Sequence, residues 1–209
     1  MEADQHGEGD RRLRISADVL AAFTGVRRNE ALAFRFDDIE WFTNEANVRH
    51  AISKRRRKDG GQKWEWHVGP PKSRKSVRRI AATESVMKML AELKVGKPGT
   101  AFLFPGNCSG FIDPDMFDAE VWKPIAQKAG MPGTRFHDLR HFFASQLIAN
   151  GETAAYVRDQ MGHSSIKVTF DTYGHLFPGR GKGIERPLRE GDARCARKIQ
   201  GGCSQNVRN

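Results

Sequence analysis

His137 and Arg140 stand three residues apart in FHDLRHFFASQL, residues 136–147, with a further histidine at position 141. On a helix that turns 100° per residue, positions i and i+3 project side by side, so an imidazole that can carry a proton and a guanidinium that can hold an anion could share one ligand. Taken alone, the pair is equally a polar helix start. Tyr173 has the same ambiguity: it could be a nucleophilic phenol, or an amphipathic ring that follows Phe170 by three residues and Ile166 by seven. Arg27 alone is an ordinary surface arginine and Lys72 one of many in a charged loop.

These side chains need elements to position them. DVLAAF, residues 18–23, reads as the last turns of a helix stopped by Thr24-Gly25, with a second helix restarting from Asn29, which puts Arg27 at a junction where backbone N–H groups are free. From Asp37 onward IEWF, ANVRHAIS, KWEWHV and VRRIAA are short, partly alternating and rich in β-branched or aromatic residues, and they predict one small antiparallel sheet. Its connections carry two basic loops, SKRRRKDGGQK and GPPKSRKSVRR. KWEWHV is expected in the sheet core.

Helical spacing returns in TESVMKMLAEL from Thr83, and again over residues 114–130, with a bend near Pro124 and a stop at Gly130. AFLFPG between them is expected to be buried. A helix from about Arg135 to Asn150 carries the apolar stripe Phe136, Leu139, Phe143 and Leu147 and stops at Gly151. A short helix from Thr153 ends at Gly162, and Ser164-Ser165 can start the helix that holds Tyr173. The expected class is mainly α with a small antiparallel β-sheet, an α+β fold.

With 209 residues the chain is long enough for one domain with a real core. Thirty-five Lys and Arg against 25 Asp and Glu give a net charge of +10, which favours a polyanionic partner without naming it. Cys108, Cys195 and Cys203 are odd in number and have no metal-binding spacing, so neither a disulfide framework nor a zinc site is indicated. No apolar run reaches the length of a membrane span, and the expected location is the cytoplasm. The organisation expected is a loose leader at 1–12, a folded domain at 13–178 and a basic tail at 179–209.

Together, TGVRRNEALAFRFDDIEW, PPKSRKSVRRI, FHDLRHFFASQLIANG and MGHSSIKVTFDTYGHLFP resemble, in order and spacing, the catalytic domain of the tyrosine recombinases, especially the phage-type integrases. The resemblance implies that Arg27 is the first active-site arginine, that Glu30 is the acidic residue after it, and that Lys72 is the lysine of the hairpin loop. It implies that His137 and Arg140 form the His-x-x-Arg box, with His163 the second histidine and Tyr173 the nucleophile. The activity implied is site-specific recombination of double-stranded DNA, without cofactor or metal, through a 3′-phosphotyrosine.

That chemistry accounts for the residue types. A phenol can attack an anionic phosphodiester once two arginines neutralise the non-bridging oxygens. Tyrosine also needs a proton acceptor, for which His137 is the expected residue, while His163 donates to the phosphate and Lys72 protonates the departing 5′-oxygen. Flanking phosphates would meet Arg55, Arg56, Arg57 and Lys58 on one basic loop, and Arg74, Lys75 and Arg78 on the other.

One departure stands out. Only about two dozen residues precede Thr24-Gly25, so the separate N-terminal DNA-binding domain of the family is expected to be absent. This raises the alternative of a truncated, non-catalytic DNA-binding remnant, and it leaves assembly of a homotetramer on DNA open. A type IB topoisomerase, with similar chemistry but no exchange of partners, is the third reading.

Overall fold

The computed structural model describes residues 17–56, 64–106 and 110–178, and of Arg74 only the backbone. The expected leader at 1–12, the tail at 179–209, the three cysteines, Arg57 and Lys58 lie outside the described residues. The chain divides into a unit of Met1–Phe177 and a second of Pro178–Asn209, and the first of these is described below.

Helix α1, residues 17–24, buries Ala17, Leu20 and Ala21 completely. Its last residue, Thr24, is fully buried and satisfies its hydroxyl by donating to the Leu20 carbonyl at 2.5 Å. Gly25 then turns the chain at φ +64°. A Cβ there would stand 2.4 Å from Phe143, so glycine is required by backbone and by space alike. Helix α2, Arg28–Ala31, starts directly after Arg27 in extended conformation.

Two sheets form where the sequence predicts one. Strands β1 (Ile39–Glu40), β2 (Glu45–Val48) and β5 (Arg78–Ala81) make an antiparallel three-stranded sheet in the order β1-β2-β5. Strands β3 (Ala51–Arg56) and β4 (Trp64–Gly69) form a separate antiparallel hairpin. ANVRHAIS, which reads as one strand, is divided between β2 and β3, so that the hairpin leaves the sheet after Val48. Burial also divides KWEWHV: Trp66 packs against the core, whereas Trp64 is 56% exposed.

Helix α3, Glu84–Lys94, is capped as expected by Thr83, whose hydroxyl accepts from Val86 N–H. AFLFPG is buried through Leu103 and Phe104. The next helical segment consists of α4 (Pro114–Met116), a wide π stretch (Phe117–Trp122) and α5 (Lys123–Lys128). Lys123 N–H reaches back five residues to the Asp118 carbonyl, and Pro124 beside it has no N–H to restore the usual ladder. The π stretch presents Phe117 and Trp122 edge-on to Phe136, with ring centroids 5.3 and 5.5 Å apart. Such pairs contribute about 0.5–1.5 kcal/mol each, and they anchor the start of α6.

Helices α6 (Phe136–Ala149), α7 (Ala154–Met161) and α8 (Ile166–Tyr173) complete the unit. The most buried row of α6 is Phe136, Arg140, Ala144 and Ile148, and not the stripe of Leu139, Phe143 and Leu147, which is only half-buried. A guanidinium therefore occupies the deepest line of the helix, a placement that hydrophobic periodicity alone does not foresee. Ala144, Ile148, Val157, Met161 and Tyr173 form a second small core apart from the main one, and it ties α6, α7 and α8 together. No helix among the described residues is long and apolar enough to cross a membrane.

Candidate active site

Two glycine-bearing junctions hold the arginines. Arg140, 3% exposed, donates from its two terminal nitrogens to the carbonyls of Gly25 and Met161. Arg27 donates to the Gly162 carbonyl at 3.2 Å and to Glu30 Oε1 at 2.7 Å, while Glu30 Oε2 accepts the Arg27 backbone N–H. Gly162 takes the left-handed conformation, φ +59°, that ends α7. The turn after α1 and the end of α7 are thus joined by guanidinium bridges, and glycine at each lets the carbonyls face inward.

Charge in this place is one-sided. Glu30 is 3% exposed and bridges Arg27 and Arg78, whose guanidinium donates to Oε2 at 3.0 Å. Burial alone would raise the Glu30 carboxyl, but Arg78 and Arg27 outweigh it and hold it below its ordinary value. Arg140 is drawn down to about 9, first by burial and then by Arg27 and Arg78, with Glu30 opposing. Two cations against one carboxylate surround a third, buried cation, an arrangement that an added anion would relieve.

Tyr173 closes the site from α8. It is 4% exposed, and its hydroxyl lies 2.8 Å from His141 Nδ1. Its ring lies nearly parallel to His163 at 6.2 Å between centroids and tilted to His141 at 5.7 Å, and His141 meets His137 edge-on at 5.0 Å. Burial raises the phenol above its ordinary value, with Arg140 pulling the other way.

Burial and nearby cations lower both flanking histidines. Burial, followed by the fields of Arg140, Arg27 and Arg78, pushes His163 down to about 4. Its Nδ1 lies 3.0 Å from the hydroxyl of fully buried Thr169. When that hydroxyl donates, the ring proton sits on Nε2, ready to be given to an anion. His137, more open at the rim, is lowered by partial desolvation and then by His141, Arg140, Arg135 and Arg27.

Arg27, His137, Arg140, His163 and Tyr173 therefore converge. Lys72 does not join them: it is exposed, and no hydrogen bond or ion pair holds it among the described residues. Its loop is nevertheless tethered, since Lys75 Nζ donates to the Ser164 carbonyl at 2.5 Å, next to His163. Beside the site, Arg27 and His137 open into a cavity of about 710 Å³, floored by Trp122 and Phe136 and edged by Lys123 and Arg135.

The residues expected on DNA fare unequally. Arg56 is exposed on β3, and Arg55 beside it pairs across the hairpin with Glu65 at 2.6 Å. Arg78, expected on a flanking phosphate, has a side chain only 6% exposed, and its nitrogens donate to Glu30, the Gln160 carbonyl and the Ser76 carbonyl. Desolvating a guanidinium requires internal partners, and with these Arg78 braces β5 against α2 and α7. His141 is the residue that sequence reasoning left out of the site. Its place directly after Arg140 and four residues after His137 was the available signal, but its partner lies 32 residues away.

Known proteins carry the same arrangement of elements. At 29% identity, 79% of the chain aligns with 46% of a protein named tyrosine recombinase XerC-like from Caldanaerobacter subterraneus subsp. tengcongensis. The ICEBs1 integrase of Bacillus subtilis is 28% identical over 78% of the chain and 45% of its own length. The chain thus spans about half the length of these curated relatives.

Among solved structures, the Tn1549 transposon integrase in complex with a circular intermediate DNA superposes with a TM-score of 0.63 at 18% identity, over 95% of this chain and 65% of that one. The XerA recombinase gives 0.55 at 20% identity, over 97% and 63%. These likenesses establish the fold, that of a tyrosine recombinase catalytic domain, mainly α with small antiparallel sheets. The phage integrase family model matches residues 2–180, which takes in every element described here, and the chain belongs to that family.

Proposed function

We propose that this protein recombines double-stranded DNA site-specifically, cutting and rejoining strands through a 3′-phosphotyrosine on Tyr173. One observation carries the reading: a buried phenol beside the buried Arg140, around which Arg27 and Arg78 outnumber the one carboxylate of Glu30. A bound phosphodiester would supply the missing anion. Arg27 and Arg140 would hold its non-bridging oxygens and His163 would donate from Nε2. Lys72 would be brought to the 5′-oxygen by the tethered loop as DNA seats, and give it a proton. Free energy of the broken ester stays in the phosphotyrosine, so a second 5′-hydroxyl can reverse the step with a new partner. The relatives named integrase and recombinase support this reading.

Phosphates flanking the scissile one would meet Arg56 and Lys75, with Arg55 recruited from its exposed ion pair and Arg57, Lys58 and Arg74 as further candidates. Exchange between two duplexes needs several such centres, so a homo-oligomer on DNA, a tetramer at full synapsis, belongs to the same proposal, as does a location with DNA in the cytoplasm. Cleavage rests on guanidinium charge, and chelation by EDTA is expected to leave it unchanged.

The test is incubation with nicked, end-labelled duplexes from the flanks of the protein's own gene, followed by a detergent quench. A covalent adduct that Tyr173→Phe abolishes is expected. DNA retention in a low-salt gel shift with no adduct on any nicked duplex would overturn the strand-transfer reading.

A further inference from the structure

His141 is not among the residues that the resemblance assigns to the site, yet it is the one that touches the nucleophile. Its Nδ1 lies 2.8 Å from the Tyr173 hydroxyl. A buried phenol is costly without a partner, and among the described residues this imidazole is the partner it has. The geometry is held from both sides. Tyr173 belongs to the small core of α6, α7 and α8, and His141 sits on α6 one residue beyond Arg140, which is itself fixed by two carbonyls. His137 meets His141 edge-on with centroids 5.0 Å apart, so its ring flanks the acceptor without replacing it.

We propose that His141 accepts the Tyr173 proton as the phenol attacks, an inference that rests on the strand-cleavage reading above. With the ring neutral and its own proton on Nε2, Nδ1 accepts from Oη. As the Oη–P bond forms, the phenolic proton passes to Nδ1. The P–O5′ bond breaks with its electron pair going to O5′, which is protonated by the general acid. Rejoining runs the same transfers backward, with His141 returning its proton to the phenol. His137 is then free to hold the phosphate.

The groups facing this pair are His137, Asp138 and Arg140 on α6, His163 from the turn before α8, and Arg27 across the junction. Arg140 stays charged up to about 9, Asp138 is held below its ordinary value by Arg135, and His163 is lowered to about 4. His137 therefore remains the one neighbour whose own titration needs a control variant.

Two tyrosines in the chain make the test clean. Tyr156→Phe leaves Tyr173 as the single tyrosine, so ζ-carbon-labelled tyrosine gives one NMR resonance, followed against pH without DNA. Besides the step of the phenol itself, a second step is expected that His141→Asn abolishes and His137→Asn keeps. Asparagine keeps a hydrogen-bonding group near the Nδ1 position but cannot take a proton. Should His141→Asn fail to fold by circular dichroism, His141→Gln serves the same purpose.

On nicked DNA, His141→Asn is expected to slow adduct formation by ~10²-fold or more, to flatten the acidic limb of the pH profile, and to leave gel-shift affinity intact. Identical titrations in wild type and variant, or adduct formation within about threefold of wild type, would overturn the proposal. If wild type cuts none of the DNA offered, the strand-cleavage reading fails, and the titration still decides whether His141 and the phenol share a proton.

Discussion

The two arginines at the centre of the site, Arg27 and Arg140, are both held by backbone carbonyls. Arg140 is locked to the carbonyls of Gly25 and Met161, whereas Lys72 is exposed and unpaired among the described residues. On the proposed mechanism that contrast separates a fixed clamp from an acid that DNA must bring into place, and it can be tested by changing the leaving group. On ordinary nicked DNA, Lys72→Ala should slow cleavage by ~10²–10⁴-fold. On DNA with a 5′-bridging sulfur the leaving thiolate needs no proton, and the same variant should cleave at nearly the wild-type rate, whereas Arg140→Ala should stay inactive on both. Gel-resolved adduct formation with the two substrates measures this. The residue types were legible in the sequence because the motifs place them in order. What was not legible is pairing over distance: Arg78 in a basic loop looks like a phosphate contact, and only the fold shows Glu30 waiting for it.

Glycine decides the geometry of two elements that the sequence marks only as stops. At Gly25 the backbone is left-handed, and any Cβ would enter the Phe143 ring. Gly25→Ala is therefore expected to cost about 2–4 kcal/mol, the sum of a strained φ and local overpacking, read from the urea midpoint. Cleavage by the fraction still folded should fall as well, because the Gly25 carbonyl holds Arg140.

Helix α1 contains a second testable feature in Asp18, buried with both carboxylate oxygens unpaired among the described residues and its carboxyl pushed by burial up to about 7. A raised folded value means that the native state binds the extra proton, so this contribution to stability is full below about pH 4 and is lost as pH rises toward 7. His163, lowered to about 4, acts in the opposite direction: its contribution is full above about pH 6.5 and is lost as pH falls toward 4. Asp18→Asn should remove the first trend and leave the second, so that urea midpoints of the variant rise between pH 4 and 7, with a gain over wild type on the order of a few kcal/mol near pH 8. Helix boundaries in these elements followed from caps and glycines in the sequence. The split into two sheets did not, because strand periodicity says nothing of where a ribbon leaves its neighbours.

At the scale of the whole molecule, the tyrosine sits in its own chain's core. Tyr173 packs with Ala144, Ile148, Val157 and Met161, so α8 is docked on the same α6 that carries His137, Arg140 and His141. Periodicity reads α8 as merely amphipathic, and only the packed structure shows that its buried face ends on Tyr173. Undocking α8 to serve a neighbouring chain would expose a ring that is 4% accessible and break its bond to His141. Burial of such a ring is worth about 1.5–3 kcal/mol, enough to favour the docked state by roughly tenfold or more. Cleavage is therefore expected in cis. Mixing Tyr173→Phe with Arg140→Ala chains on one nicked duplex should give no adduct, since each chain lacks one half of its own centre. Adduct recovered on mixing, near the level of a diluted wild type, would show that α8 is delivered between chains, and that the docked arrangement is a resting state from which DNA binding releases it.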